Sequence, residues 1–96
     1  MTTFRFAVNV LPKDGILDPQ GRAVEQSLAH LEVEGVEGVS AVRVGRRVEL
    51  TLEAADEAAA RTIVERLAAE LFSNPLIEQA SVEALSGASS TVAAAR

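Results

Sequence analysis

Phe4, Phe6, Val8 and Val10 alternate with Arg5, Ala7 and Asn9, and a period of two describes a half-buried first strand. Pro12 ends it, and Lys13 to Leu17 form a loop. Asp18-Pro19 is then a strong helix start, with Asp as N-cap and Pro at the first helical position. Ala23, Val24, Leu28 and Leu31 follow at helical spacing, with Arg22, Glu25, Gln26 and Ala29 outside the stripe. Gly21 falls inside this helix at a cost of about 1 kcal/mol relative to Ala. Either a neighbouring backbone comes close there or the glycine is simply tolerated, and the pattern by itself favours tolerance.

Val33-Glu34-Gly35-Val36-Glu37-Gly38-Val39 is a glycine-punctuated loop with a short Val-Glu-Gly echo. It feeds the stretch around which the chain is organised, Val39 to Glu53, which reads as two strands folded back around Gly45 and Arg46. Pairing Val44 with Val48 and Val42 with Leu50 keeps one face apolar, so an odd-length connection with a bulge is expected. The opposite face would carry Arg43, Arg47, Glu49, Thr51 and Glu53. Next, Asp56 caps a second helix in which Ala60, Ile63, Val64, Leu67, Ala68 and Leu71 share one face. Ser73-Asn74-Pro75 stops it. Ala80, Val82 and Ala84 alternate with Gln79, Ser81 and Glu83 in a last strand, Glu78 to Leu85.

Two amphipathic helices, each following a strand, predict an α+β fold: a two-layer, ferredoxin-like βαββαβ sandwich, an antiparallel sheet with both helices on one face. Residues 1–86 form the single expected domain, and the Ala/Ser-rich residues 87–96 an expected disordered tail. The second sheet face has no layer of its own. Carrying Ala7, Leu11 and Leu85, it invites another protomer, so pairing through the sheet or its edges is expected.

Composition narrows the function. A net charge of −5, with no Trp or Tyr, argues against a nucleic-acid grip or a base-stacking platform. Without cysteine, and with His30 as the single histidine, thiolate chemistry and multi-histidine metal sites are excluded. No apolar run approaches membrane-spanning length and no signal peptide is visible, so the cytoplasm is the default compartment. Glu32, Glu34 and Glu37, with Asp14 and Asp18, match no cation-binding loop. No phosphate-binding glycine motif and no serine–histidine–acid spacing occurs. Gly45-Arg46-Arg47 offers at most a site for one phosphate or carboxylate. On chemistry alone the chain is a binding or assembly module.

Lys13-x-x-Ile16-Leu17-Asp18-Pro19-Gln20-Gly21, then Ala23-Val24, Val42-Arg43-Val44-Gly45-Arg46 and Glu49-Leu50, resemble the small PurS-type subunit of phosphoribosylformylglycinamidine (FGAM) synthase. The likeness runs from about Phe4 to Val82 and includes Asn74-Pro75-Leu76-Ile77-Glu78. The Lys-to-Gly motif is the specific part; the hairpin is commoner among ferredoxin-like domains. The loop before the hairpin is about three residues longer than that pattern.

The resemblance implies a non-catalytic subunit of an amidotransferase complex in purine biosynthesis. Such a subunit bridges a glutaminase subunit and a large ATP-dependent synthetase subunit, and assists ammonia transfer as formylglycinamide ribonucleotide becomes the amidine. It implies self-association, as a dimer or a tetramer. It also implies no cofactor on this chain, ATP and Mg being used by the synthetase, and no nucleic acid or membrane partner. Lys13, Asp18, Pro19, Gln20, Gly21, Arg43, Gly45 and Arg46 become the candidate partner contacts. The competing reading is a regulatory ferredoxin-like module that binds a small molecule between paired domains.

Overall fold

The computed structural model describes residues 1–85, so the expectation for the tail falls outside the described residues. Strand β1 (Thr2–Pro12) is followed by helix α1 (Pro19–Leu28), a 3₁₀ turn (Val36–Gly38) and strand β2 (Arg46–Ala54). Helix α2 (Glu57–Leu67) continues through a π-helical turn (Ala68–Phe72), and strand β3 (Glu78–Leu85) comes last. The α+β class and the antiparallel sheet are those expected, and β3 has the expected bounds. β1 is central, in the order β2-β1-β3, with both neighbours antiparallel.

Alternation explains the register. Phe6 lies between Leu50 and Ala84, and Val8 between Val48 and Val82, so one face of the sheet is apolar over its middle, with Arg46 and Glu78 at one end. Phe6, Val8, Val10, Ala54, Ala60, Val64 and Ala68 are buried together there. α2 and its π-helical continuation lie across this face and supply the last three. Asp56 starts it as expected, its carboxylate accepting from the Ala59 N–H at 2.8 Å. The small Ala60 and Ala68 on either side of Val64 let helix and sheet approach closely.

The hairpin expectation is corrected. β2 pairs with β1, not with Val39–Val44, and Val48 and Leu50 face Val8 and Phe6 rather than Val44 and Val42. Residues 39–45 belong to no strand of this chain. Two carboxylates of α1 and its cap take up the N–H groups of Val42 and Val44, as described below, so the segment's hydrogen bonds go to the helix.

A second difference concerns α1. It barely touches the sheet of its own chain, and its only buried residue is Gly21. The helix turns Gly21 and the half-buried Glu25 and Leu28 inward, while Val24 and Leu31 of the expected stripe are exposed. α1 and residues 39–44 therefore make an arm beside the sheet.

The middle of the sheet face opposite α2 is polar, while Leu11, 41% exposed, and Leu85 lie toward its ends. Arg47 donates to Glu49 at 2.9 Å, to Glu83 at 3.0 Å and to Asn9 at 3.1 Å. Arg5 lies 3.8 Å from Glu49. Ala7, between Glu49 and Glu83 in the register, is fully buried on this face. The apolar invitation read from Ala7 is thus closed by side chains of its own sheet.

Candidate docking joint

The eight candidate contact residues meet where three segments converge: the β1–α1 loop, residues 41–46 and the turn before β3. Asp18 is the pivot. Its Oδ1 accepts from the Gly21 N–H at 3.0 Å, capping α1, and its Oδ2 accepts from the Val44 N–H at 2.9 Å. Glu25, two helical turns on, accepts from the Val42 N–H at 2.7 Å. Residues 18, 21 and 25 follow the i, i+3, i+7 spacing of one helical face. That spacing is the sequence signal that would have moved Glu25 from the outer face to the inner one.

Gly21 fits between these two clamps, and a Cβ there would overlap the Val42 carbonyl oxygen. Close approach, not tolerance, therefore accounts for this glycine. Gly45 does the same at the other end of the segment, where a Cβ would overlap the Val10 carbonyl oxygen at the end of the central strand.

Arg46 forks onto Glu78, with both N–H···O contacts at 2.9 Å, and donates at 2.7 Å to the Phe72 carbonyl that ends the π-helical turn. Glu78 also accepts from the Asn74 N–H at 2.7 Å. The Arg46 fork, and then that backbone donor, hold Glu78 below the usual carboxylate range. The Lys13 N–H donates to the Ile77 carbonyl at 2.9 Å, tying the first loop to the last turn.

Asp18, Gly21, Gly45 and Arg46 are thus spent inside the chain, holding the joint in shape. Pro19, Gln20 and Arg43 are exposed and Lys13 is half-buried, so these four remain available to a partner. A groove of about 550 Å³ runs through the joint between Leu17, Gln20, Arg46 and Ile77. Leu17 in its wall is exposed, as is Leu76, the residue before Ile77. Among the described residues no group of three or more histidine or acidic side chains converges as a metal site, and no helix is long and apolar enough to cross a membrane.

The clamp has a definite pH sign. The Gly21 N–H, and then the Val44 N–H, stabilise the charged form of Asp18 and lower its pKa. Its contribution is therefore present above the unfolded value of about 3.9 and is lost as pH falls through the lowered folded value. Asp18→Asn keeps one oxygen for the helix cap but sets an amide N–H against Val44. Faster hydrogen exchange is expected at Val44 than in the parent at neutral pH, with Gly21 changed less. Equal protection at Val44 would show that the clamp does not act in both directions.

The model of the PurS family, described as phosphoribosylformylglycinamidine (FGAM) synthase, matches residues 5–86. The PurS subunit of that synthase from Synechocystis sp. is 40% identical over 88 residues, covering 90% of this chain and 85% of the relative. A chain in the structure of PurLQS from Thermotoga maritima superposes with a TM-score of 0.76 at 32% identity, covering 88% of this chain and all of that one. Bacillus subtilis PurS superposes with a TM-score of 0.71 at 32% identity, covering 84% and 96%. With the motif Lys13-x-x-Ile16-Leu17-Asp18-Pro19-Gln20-Gly21 now seen to build one joint, and the match spanning nearly the whole described chain, this protein belongs to the PurS family of FGAM synthase subunits.

Proposed function

We propose that this chain is the small, non-catalytic subunit of an FGAM synthase complex in purine biosynthesis. It bridges the glutaminase and the ATP-dependent synthetase subunits and assists the passage of ammonia between them, in the cytoplasm. The observation that carries this reading is the likeness to a chain of the Thermotoga PurLQS structure over its full length. The regulatory-module reading has no comparable support. ATP and Mg belong to the synthetase, while this chain contributes surface: Lys13, Pro19, Gln20 and Arg43 at the rim of a joint that Asp18 and Arg46 keep rigid.

The same reading includes a dimer, and the arm gives it a form. α1 exposes Val24 (42%) and Leu31 (51%). On α2, Arg61 and Glu65 line the groove over β3, so at 100° per residue Ile63 and Leu67 lie on the flank toward β2. There Val48, Leu50 and Leu52 are only half-buried and Ile63 is 45% exposed. α1 of a second copy fits that half of the apolar face, and its Val39–Val44 lies along the free edge of β2. Two helices then cover each sheet, as the βαββαβ pattern requires, and one two-fold axis satisfies both copies. Each half-exposed side chain so covered contributes roughly 1 kcal/mol.

Reconstitution with the glutaminase and synthetase subunits tests both levels. The glutamine-dependent rate of amidine formation is expected to need this chain, and the ammonium-dependent rate to need it much less. Equal dependence, or none, would end the coupling role. Val24→Asp is expected to give a monomer by sedimentation. A Val24→Asp dimer would end the arm exchange while leaving the subunit role standing.

A further inference from the structure

We propose that the β1–α1 loop and the arm form a binding site for the phosphate of a small organic phosphate monoester. Lys13, Arg22 and Arg43 line one concavity of about 250 Å³, together with the apolar Pro12, Ile16 and Leu17. In a chain whose net charge is −5, three cations around one hollow are a local reversal of sign. Among the described residues the ion pairs are those of Arg5, Arg43, Arg46, Arg47, Arg61 and Arg66, so Lys13 and Arg22 stand outside them.

Two carboxylates also line the hollow, and they differ. Both oxygens of Asp18 are held by backbone N–H groups of Gly21 and Val44. Asp14 is 95% exposed and only loosely paired with Arg43, at 3.7 Å. It stands in for an anion and is easily displaced. Once it swings away, the three cations face a single committed carboxylate at the start of α1, where the helix dipole offsets part of its charge. The remaining excess suits a doubly charged phosphate better than a single carboxylate, and the arginine forks match phosphate oxygens.

Ala41 lines the same wall with φ 56°. A non-glycine residue keeps left-handed backbone only where its surroundings impose it, and such positions gather at ligand clamps. The next residue, Val42, is the one whose N–H is pinned by Glu25. The arm wall is thereby fixed in place while the Asp14 side opens. The site shares Lys13 and Arg43 with the partner-contact rim, so it is tested on this chain alone, where its failure and that of the subunit reading are distinguishable.

The test uses the isotopically labelled full chain titrated with glycerol phosphate at constant ionic strength and pH 7.5. Saturable amide shifts are expected at residues 13–17 and 41–43. Arg43→Gln should weaken the midpoint about tenfold, the worth of one charge-assisted contact. Asp14→Asn should tighten it several-fold, because the resident carboxylate is gone. Lowering the pH below about 6, where the phosphate loses its second charge, should weaken it. Shifts that spread over the whole surface, that fail to saturate, or that succinate reproduces with the same midpoint would overturn the assignment. So would Arg43→Gln and Asp14→Asn moving the midpoint in the same direction. Both positions lie outside the core, and an unchanged melting temperature in each variant checks that the fold is intact.

Discussion

Phe6→Ala is expected to cost about 4 kcal/mol, the largest loss from a single side chain in this protein. Phe6 is 1% exposed and sits at the middle of the central strand, between Leu50 and Ala84. The Arg61 guanidinium lies 5.6 Å from its ring centroid, so the ring also anchors a charged residue of α2. Ala84 lies beside it in the sheet, and the helix brings the small Ala60 and Ala68 to the same buried cluster. They have little side chain with which to fill the space, and a cavity that cannot collapse is the expensive kind. Domains of this size have a total stability of roughly 5–15 kcal/mol, so the variant should be largely unfolded in mild urea. A loss below about 1.5 kcal/mol, measured at one fixed protomer concentration, would mean that the sheet closes over the gap. Phe4, only half-buried at the strand's start, should lose distinctly less.

Gly45→Ala should follow, at about 3 kcal/mol, by overpacking rather than by loss of contacts. The added methyl would overlap the Val10 carbonyl oxygen and come within 2.7 Å of Leu11 Cδ2. The leucine can move; the carbonyl belongs to the buried central strand and cannot without disturbing the ladder. Gly45 also links the arm to Arg46, whose fork holds Glu78 and the end of the π-helical turn. Displacement there should loosen the whole joint. Gly38→Ala is the control, since nothing lies within 4 Å of the site, and its effect should stay within about 0.5 kcal/mol. If both variants unfolded at the same denaturant concentration as the parent, the close crossing of Gly45 over β1 would not be a real constraint.

Much of this architecture was legible beforehand because its causes are local. The alternation of Phe4, Phe6, Val8 and Val10, the Asp18-Pro19 and Asp56 helix starts, the stop at Pro75 and the strand Glu78–Leu85 each depend on neighbouring residues only. The candidate contact residues do gather at one joint, but their roles there divide in a way that no motif reveals. Asp18 reads in the sequence as a helix cap and Arg46 as a surface contact, yet both also clamp distant segments. Glu25 and Glu78, which complete the clamps, lie 17 and 32 residues from their partners.

The hydrophobic pattern of Val42, Val44, Val48, Leu50 and Leu52 is the same whether the chain turns back at Gly45 or runs on past it. Period two fixes which side chains share a face and leaves open which strand lies alongside. Sequence by itself therefore determined the elements other than Val39–Val44, the apolar alternation of the strands, the absence of thiol and multi-histidine chemistry, and the family resemblance. Only the tertiary structure decided the neighbours. Asp18 and Glu25 claim the Val44 and Val42 N–H groups, β1 rather than Val39–Val44 pairs with β2, and α1 is left off its own sheet with an apolar flank uncovered. The physical reason is that hydrogen-bond partners far apart in the chain compete for the same backbone groups, and the outcome depends on how the elements approach in space.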